Sequence, residues 1–273
     1  EVASTLASSV NSNPRVYRYL GYAAYENKDY PAAMAAMNNW FAKAESARIL
    51  PSDYMYLGRI QIASGKDTTA GLANLKKAVA MDSTKAEDIY NTDIIPLYKA
   101  KKDYLNMAKS YEELIALSPG KPMQNEHFYE GYYYYYALDP SKPDSVIMAK
   151  ADTALAYVEK MTKDKPVALE LLTRARIASY RDTDYANMNG LPKPHYEKYV
   201  EVFGPTSTDP TTKKYLAEAY AYLGVYAAYH DKDDAKAMDY FTKAREMNPD
   251  NPQAKFYFDQ KAAAQKAPPA QKK

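Results

Sequence analysis

"YMYLGRIQIASGKDTTAGLANLKKAVAMDST", Tyr54 to Thr84, carries the spacing that decides the fold. After Leu57-Gly58 come Gly71, Leu75, Ala78 and Ser83, at steps of 4, 3 and 5 residues. A distant segment, "YAYLGVYAAYHDKDDAKAMDYFTKAREMNPD" (Tyr220 to Asp250), repeats it. There Leu223-Gly224 is followed by Ala237, Phe241, Ala244 and Pro249 at the same steps, and each glycine precedes its first stripe residue by 13 positions. Residues at i, i+4 and i+7 share one helical face. Each segment therefore reads as two amphipathic helices whose small residues permit close approach, joined by a polar turn such as "ASGKDT" or "YHDKDD".

The same template extends outward. "VYRYLGYAAYENKDYPAAM" repeats its first half with Tyr17, Leu20, Gly21 and Ala33, and Met107, Tyr111, Leu114 and Pro119 keep the 4-3-5 steps. Around Gly131 the second helix carries Ala151, Leu155 and Val158. "PVALELLTRARIASY" and "KPHYEKYVEVF" are two further helices, but the link "RDTDYANMNGLP" is long and leaves the register open between Lys165 and Pro210. Pro119 and Pro249 are expected to start the next helix. Val2, Leu6, Ser9 and Pro14 also fall at 4, 3 and 5, so residues 1–14 read as the second helix of a partial repeat, or as a capping helix. An uncapped end of that kind makes end-to-end self-association an expectation. "NPQAKFYFDQKAAAQK" reads as an unpaired capping helix, and 267–273 as a disordered tail.

This pattern resembles the tetratricopeptide repeat (TPR) family, whose mark over about 34 residues is an aromatic, Leu-Gly, a Tyr-like position, then Ala, an aromatic, Ala and Pro. The resemblance covers nearly the whole chain. It implies an all-α, right-handed superhelical solenoid over 1–266, with about six antiparallel helix pairs whose first helices line a concave groove. One subset of the family clamps a C-terminal carboxylate through Lys, Asn and Arg on successive repeats. This chain has Arg18, Tyr22 and Tyr56 at matching positions and lacks the asparagines, so that ligand is not expected.

Composition narrows the chemistry. The 273 residues are 47% hydrophobic and 26% charged, with a net charge of +2 and Lys/Arg alternating with Asp/Glu. That is not the concentrated basic footprint of a nucleic-acid binder. No apolar run reaches the length of a membrane span. Without cysteine, there is no disulfide framework, thiolate metal site or cysteine nucleophile. His127, His195 and His230 lack metal-ligand spacing, and His127 reads as a packed or half-buried ring. "SGKDTT" lacks the glycine of a phosphate loop, and "DKDDAKAMD" lacks the glycine and terminal glutamate of a calcium loop. No catalytic site, cofactor or metal is therefore expected. The cysteine-free, tyrosine-rich sequence beginning at Glu1 favours an exported, periplasmic-type protein.

The chain holds 29 tyrosines, five of them in the run Tyr132 to Tyr136. Five consecutive helical residues circle the axis, so they cannot all face one core. With Gly131 aligned to the family glycine, Tyr134 should be buried, whereas Tyr132, Tyr135 and Tyr136 line the groove and Tyr133 lies between repeats or outward. Phe128 joins that face, as do Arg15, Arg18, Tyr22 and Tyr25 of the first repeat and Arg59 of the second. The groove is thus expected to be basic at one end and aromatic in the middle, suiting a protein or peptide with apolar or proline-rich residues and some acid. The alternative is a glycan whose rings stack on these tyrosines. The link Arg181 to Pro194 reads either as a plain surface insertion or as a binding loop.

Overall fold

A computed structural model describes residues 13–184, 187–204 and 207–266, and no strand occurs among them. The expectations for residues 1–12 and for the tail 267–273 lie outside the described residues. The helices divide into two compact units after Lys121.

The first unit contains α1 (Arg15–Glu26), α2 (Tyr30–Lys43), α3 (Pro51–Ala63) and α4 (Thr68–Met81). Next come α5 (Ala86–Ile89), a π turn (Tyr90–Ile94), α6 (Ile95–Ala100) and α7 (Tyr104–Ala116). Pro96 has no N–H for the helical ladder, and the π turn ends two residues before it. Ala33, Met37, Trp40 and Ile60 pack together as the core of the first helices.

The second unit contains α8 (Gln124–Tyr136), α9 (Ser145–Met161), α10 (Ala168–Ser179), α11 (Lys193–Phe203) and α12 (Pro210–Tyr226). A second π turn (Ala227–Asp231), α13 (Asp234–Met247) and α14 (Pro252–Lys266) complete it. Leu171, Leu172, Tyr196, Tyr199 and Leu216 form one cluster, which packs α10, α11 and α12 together. Ala237, Phe241, Ala244 and Ala254 form another, joining the last pair to α14. Ala151, Leu155 and Val158 are fully buried, as their stripe requires.

One turn device recurs. Lys28, Lys102 and Lys232 adopt left-handed backbone conformations, and Gly65 does the same in its own turn. An aspartate follows each: Asp29, Asp103, Asp233 and, after Gly65, Asp67. These carboxylates accept from the amides of Ala32 (3.1 Å), Asn106 (3.1 Å), Lys236 (2.9 Å) and Ala70 (2.8 Å), capping the next helix. The cap offsets the strain of a left-handed lysine. Pro119 and Pro249, by contrast, lie in turns and do not begin helices: α8 starts at Gln124 and α14 at Pro252. At the latter the cap is Asn251, which accepts from the Ala254 amide at 2.9 Å and leaves Pro252 as the first helical residue.

The long link is organised around a carboxylate. Buried Asp182 accepts from the amides of Asn189 (2.8 Å), Gly190 (2.7 Å) and Leu191 (3.1 Å). Gly190 has φ +73°, and a Cβ there would stand 2.6 Å from the Tyr226 ring.

Helix pairing depends on glycine. A Cβ at Gly58 would lie 2.6 Å from the Gly71 carbonyl oxygen, and one at Gly131 would lie 2.8 Å from that of Ala151. Both obstacles are backbone, so a rotamer change cannot relieve them. Gly58→Ala gains about 1 kcal/mol of helix propensity. Overpacking against rigid backbone lies at the upper end of about 1–3 kcal/mol and outweighs it, so we expect a net loss of about 1–2 kcal/mol in urea unfolding. Unchanged or increased stability would show that α3 and α4 can separate freely.

Candidate functional site

In the first unit, α1 and α3 meet through aromatic rings and one buried carboxylate. The Tyr22 ring stacks on Tyr56 with centroids 3.9 Å apart, and Tyr25 meets Tyr56 edge-on at 5.6 Å. Asp53 is fully buried. It accepts from Arg18 Nε (2.8 Å) and Nη2 (3.0 Å), from the Tyr22 hydroxyl (2.6 Å) and from the Leu50 amide (2.7 Å). Burial and the bond to Asp53 push the Tyr22 hydroxyl well above its ordinary pKa, so it stays protonated as a donor.

Arg18 corrects the sequence reading. It is 7% exposed, donates to the Arg48 carbonyl as well, and its guanidinium lies 4.3 Å from the centre of the Trp40 ring. It is a core cation and not a groove cation. Arg59 also has internal partners: Nε donates to Asp93 at 2.9 Å and Nη2 to Asp88 at 3.0 Å. Burial works against its charge, but the bonds to Asp93 and Asp88 outweigh burial and raise its pKa. The expected basic wall is thus neutralised from within the unit at both arginines, and only Arg15 of the three is exposed.

In the second unit, Tyr134 is 1% exposed, as Gly131 predicts. Phe128 stacks on Tyr132 (5.6 Å), and Tyr132 meets Tyr136 (4.7 Å) with hydroxyls 3.3 Å apart. Tyr135 packs edge-on to Tyr136 (5.4 Å) and reaches Tyr180, the residue that follows α10 (6.5 Å). Tyr132 and Tyr135 are half-buried and Tyr136 is 45% exposed. Burial raises the Tyr132 and Tyr135 pKa values, so both remain neutral phenols. Beside them Arg176 bonds Glu218 bidentately (2.8 and 2.6 Å), and the Tyr196 hydroxyl donates to the same carboxylate at 3.0 Å. Tyr180, Arg176 and Glu218 were not anticipated as part of this site.

The residues one, four and five positions after each glycine define a common face. After Gly131 they are Tyr132, Tyr135 and Tyr136. After Gly224 they are Val225, Ala228 and Tyr229, which line an apolar cavity of about 640 Å³ together with Phe256 and Tyr257 of α14. After Gly58 they are Arg59, Ile62 and Ala63, which line a cleft of about 190 Å³ with Tyr25, the residue four after Gly21. The expected capping role of α14 does not include this cavity, although the Gly224 offsets point to it. Its Phe256 is 59% exposed and its Tyr229 46%.

No family model and no curated protein matches the sequence. Among solved structures, the C-terminal part of a TPR repeat-containing protein from Cytophaga hutchinsonii is 25% identical with a TM-score of 0.55, covering 93% of this chain and 91% of that one. The chain has the helix-repeat fold of a TPR-like protein. A tetratricopeptide repeat protein from Parabacteroides merdae is also similar, at 15% identity and a TM-score of 0.41, covering 89% of this chain and 97% of that one.

The TPR-like helix pairs also place the histidines. His127 is half-buried against Tyr157 (4.1 Å) and beside Glu130 (3.1 Å), and burial lowers its pKa. His230 lies in the second π turn, stacked on Tyr226 (4.4 Å). Among the described residues no three His, Asp or Glu side chains are grouped to hold a metal, and no helix is long and apolar enough to cross a membrane.

The Asp53 network yields a stability prediction. Asp53→Ala leaves Arg18 buried without its partner and should cost about 3–5 kcal/mol in urea unfolding. A loss below about 1 kcal/mol would mean that solvent reaches Arg18 easily.

Proposed function

We propose that this TPR-like protein is a non-catalytic interaction scaffold that holds an apolar or proline-rich segment of a partner protein against the tyrosine face of its second unit. The observation that carries the reading is the shared face at Tyr132, Tyr135 and Tyr136, extended by Phe128 and by Tyr180 at the C-terminal end of the adjacent α10. These are rigid rings suited to stacking on proline or aliphatic side chains, and the neutral Tyr132 and Tyr135 hydroxyls can donate to backbone carbonyls. TPR-like solved structures support a repeat scaffold in general. The acidic component of the expected partner is dropped, because Arg176 is already paired with Glu218 and Arg59 with Asp93. Nucleic acid is likewise not the ligand proposed, since the residues involved offer no cluster of unpaired cations.

The test uses a synthetic proline-rich peptide and fluorescence anisotropy. Saturable binding is expected, nearly independent of added salt. The Tyr132→Ala, Tyr135→Ala, Tyr136→Ala triple variant should weaken it by about tenfold or more, with a small change in melting temperature. If the triple variant instead loses more than about 3 kcal/mol of stability, the three rings are core and the site is wrong. Specific capture on a glycan array without peptide binding would replace the peptide by a sugar as ligand.

A further inference from the structure

Glu170, in the first turn of α10, is 0% exposed, and neither carboxyl oxygen has a hydrogen-bond partner among the described residues. One turn further along, Arg174 reaches across to α9 instead. Its Nε donates to Asp152 at 2.9 Å and its Nη1 to Glu159. Asp152 and Glu159 are seven residues apart on α9 and so share a face. Arg174 therefore ties α10 to α9 at two heights and leaves Glu170 unserved. From α11, half-buried His195 faces the same charges, and burial first and Arg174 second lower its pKa, so it adds no cation near neutrality. His195, Asp152 and Arg181 line an adjoining cleft of about 180 Å³.

We propose that the α9–α10 joint is a pH-responsive lock, in which a protonated Glu170 leaves Arg174 free to clamp Asp152 and Glu159. When Glu170 gives its proton to solvent, an anion appears in a dry site beside two carboxylates. Glu170 and Arg174 stand at i and i+4, the spacing at which they can pair directly. Arg174 then either turns to Glu170 and releases α9, or the joint opens to water. Both outcomes loosen the contact between α9 and α10.

Burial, reinforced by Glu159, raises the Glu170 pKa from 4.5 to about 8. A folded-state value above the unfolded one means that the native protein binds the extra proton. Its contribution to stability is fully present below about pH 4.5 and is lost as pH rises towards about 8. The lock itself opens near the upper value.

The experiment compares the full chain with Glu170→Gln, a neutral isostere, by thermal unfolding from about pH 5 to about pH 9. The unaltered chain should lose melting temperature across that window, and E170Q should lack that component. After correction for the intrinsic base-catalysed rate, the protection of amides in α9 and α10 should fall above about pH 8 in the unaltered chain only. Parallel melting profiles for the two proteins overturn the proposal. Should E170Q fail to fold, ¹³C titration of the Glu170 carboxyl in the unaltered chain decides. A midpoint near 8 supports the lock, and one near the ordinary glutamate value of 4.5 overturns it.

Discussion

Close approach of paired helix backbones is the constraint from which the rest follows. At Gly58 and at Gly131 the neighbouring backbone occupies the place of a side chain, so each first helix can turn in only one way about its axis. That rotation fixes which residues face the partner helix and which do not. Tyr134 goes inward for this reason, and Tyr132, Tyr135 and Tyr136 are left on another side. The aromatic wall is a by-product of where the glycine sits. At Gly224 the neighbour is the Phe241 ring, 3.0 Å from where a Cβ would stand, and Val225, Ala228 and Tyr229 take the corresponding offsets along the C-terminal cavity.

Electrostatics acts in the opposite sense to a first reading of the charges. The arginines on the first helices look like a basic recognition surface when read along the chain. In the folded protein, Arg18 belongs to Asp53, Arg59 to Asp93 and Asp88, and Arg176 to Glu218. Each arginine is bonded across to another helix, so these charges join helices and leave little net field for a ligand. Desolvation makes the pairing necessary: a guanidinium as enclosed as Arg18 is costly without a carboxylate beside it. What remains for recognition is rings and phenolic hydroxyls. Among the described buried acids Glu170 is the exception, because Arg174, four residues along the helix, is already committed to two others.

The long link makes a similar point about local chemistry. Its sequence is rich in turn formers, which suits a plain insertion. Yet Asp182 gathers three consecutive amides, and Gly190 is held against Tyr226. A single buried carboxylate thereby gives much of an otherwise irregular segment a defined path, without any repeat pattern to announce it.

Repeat spacing was legible from the sequence because helix pairing acts at fixed offsets. The 4-3-5 stripe, the glycine 13 residues before it and the capping aspartates are local requirements, and each leaves a periodic mark. All-α pairs, the inward Tyr134 and the buried Ala151, Leu155 and Val158 could therefore be read from residue order alone. The prolines misled because Pro249 belongs to the turn, whereas Asn251 and Pro252 perform the cap. Charge partners left no such mark. Arg18 meets Asp53 35 residues away, Arg59 meets Asp93 at 34, and Arg176 meets Glu218 at 42. Asp53 and Asp93 are only two of many acids at comparable distances. Which carboxylate each guanidinium finds, and which acid is left without one, is settled by helix packing in three dimensions, where desolvation makes an unpaired charge expensive.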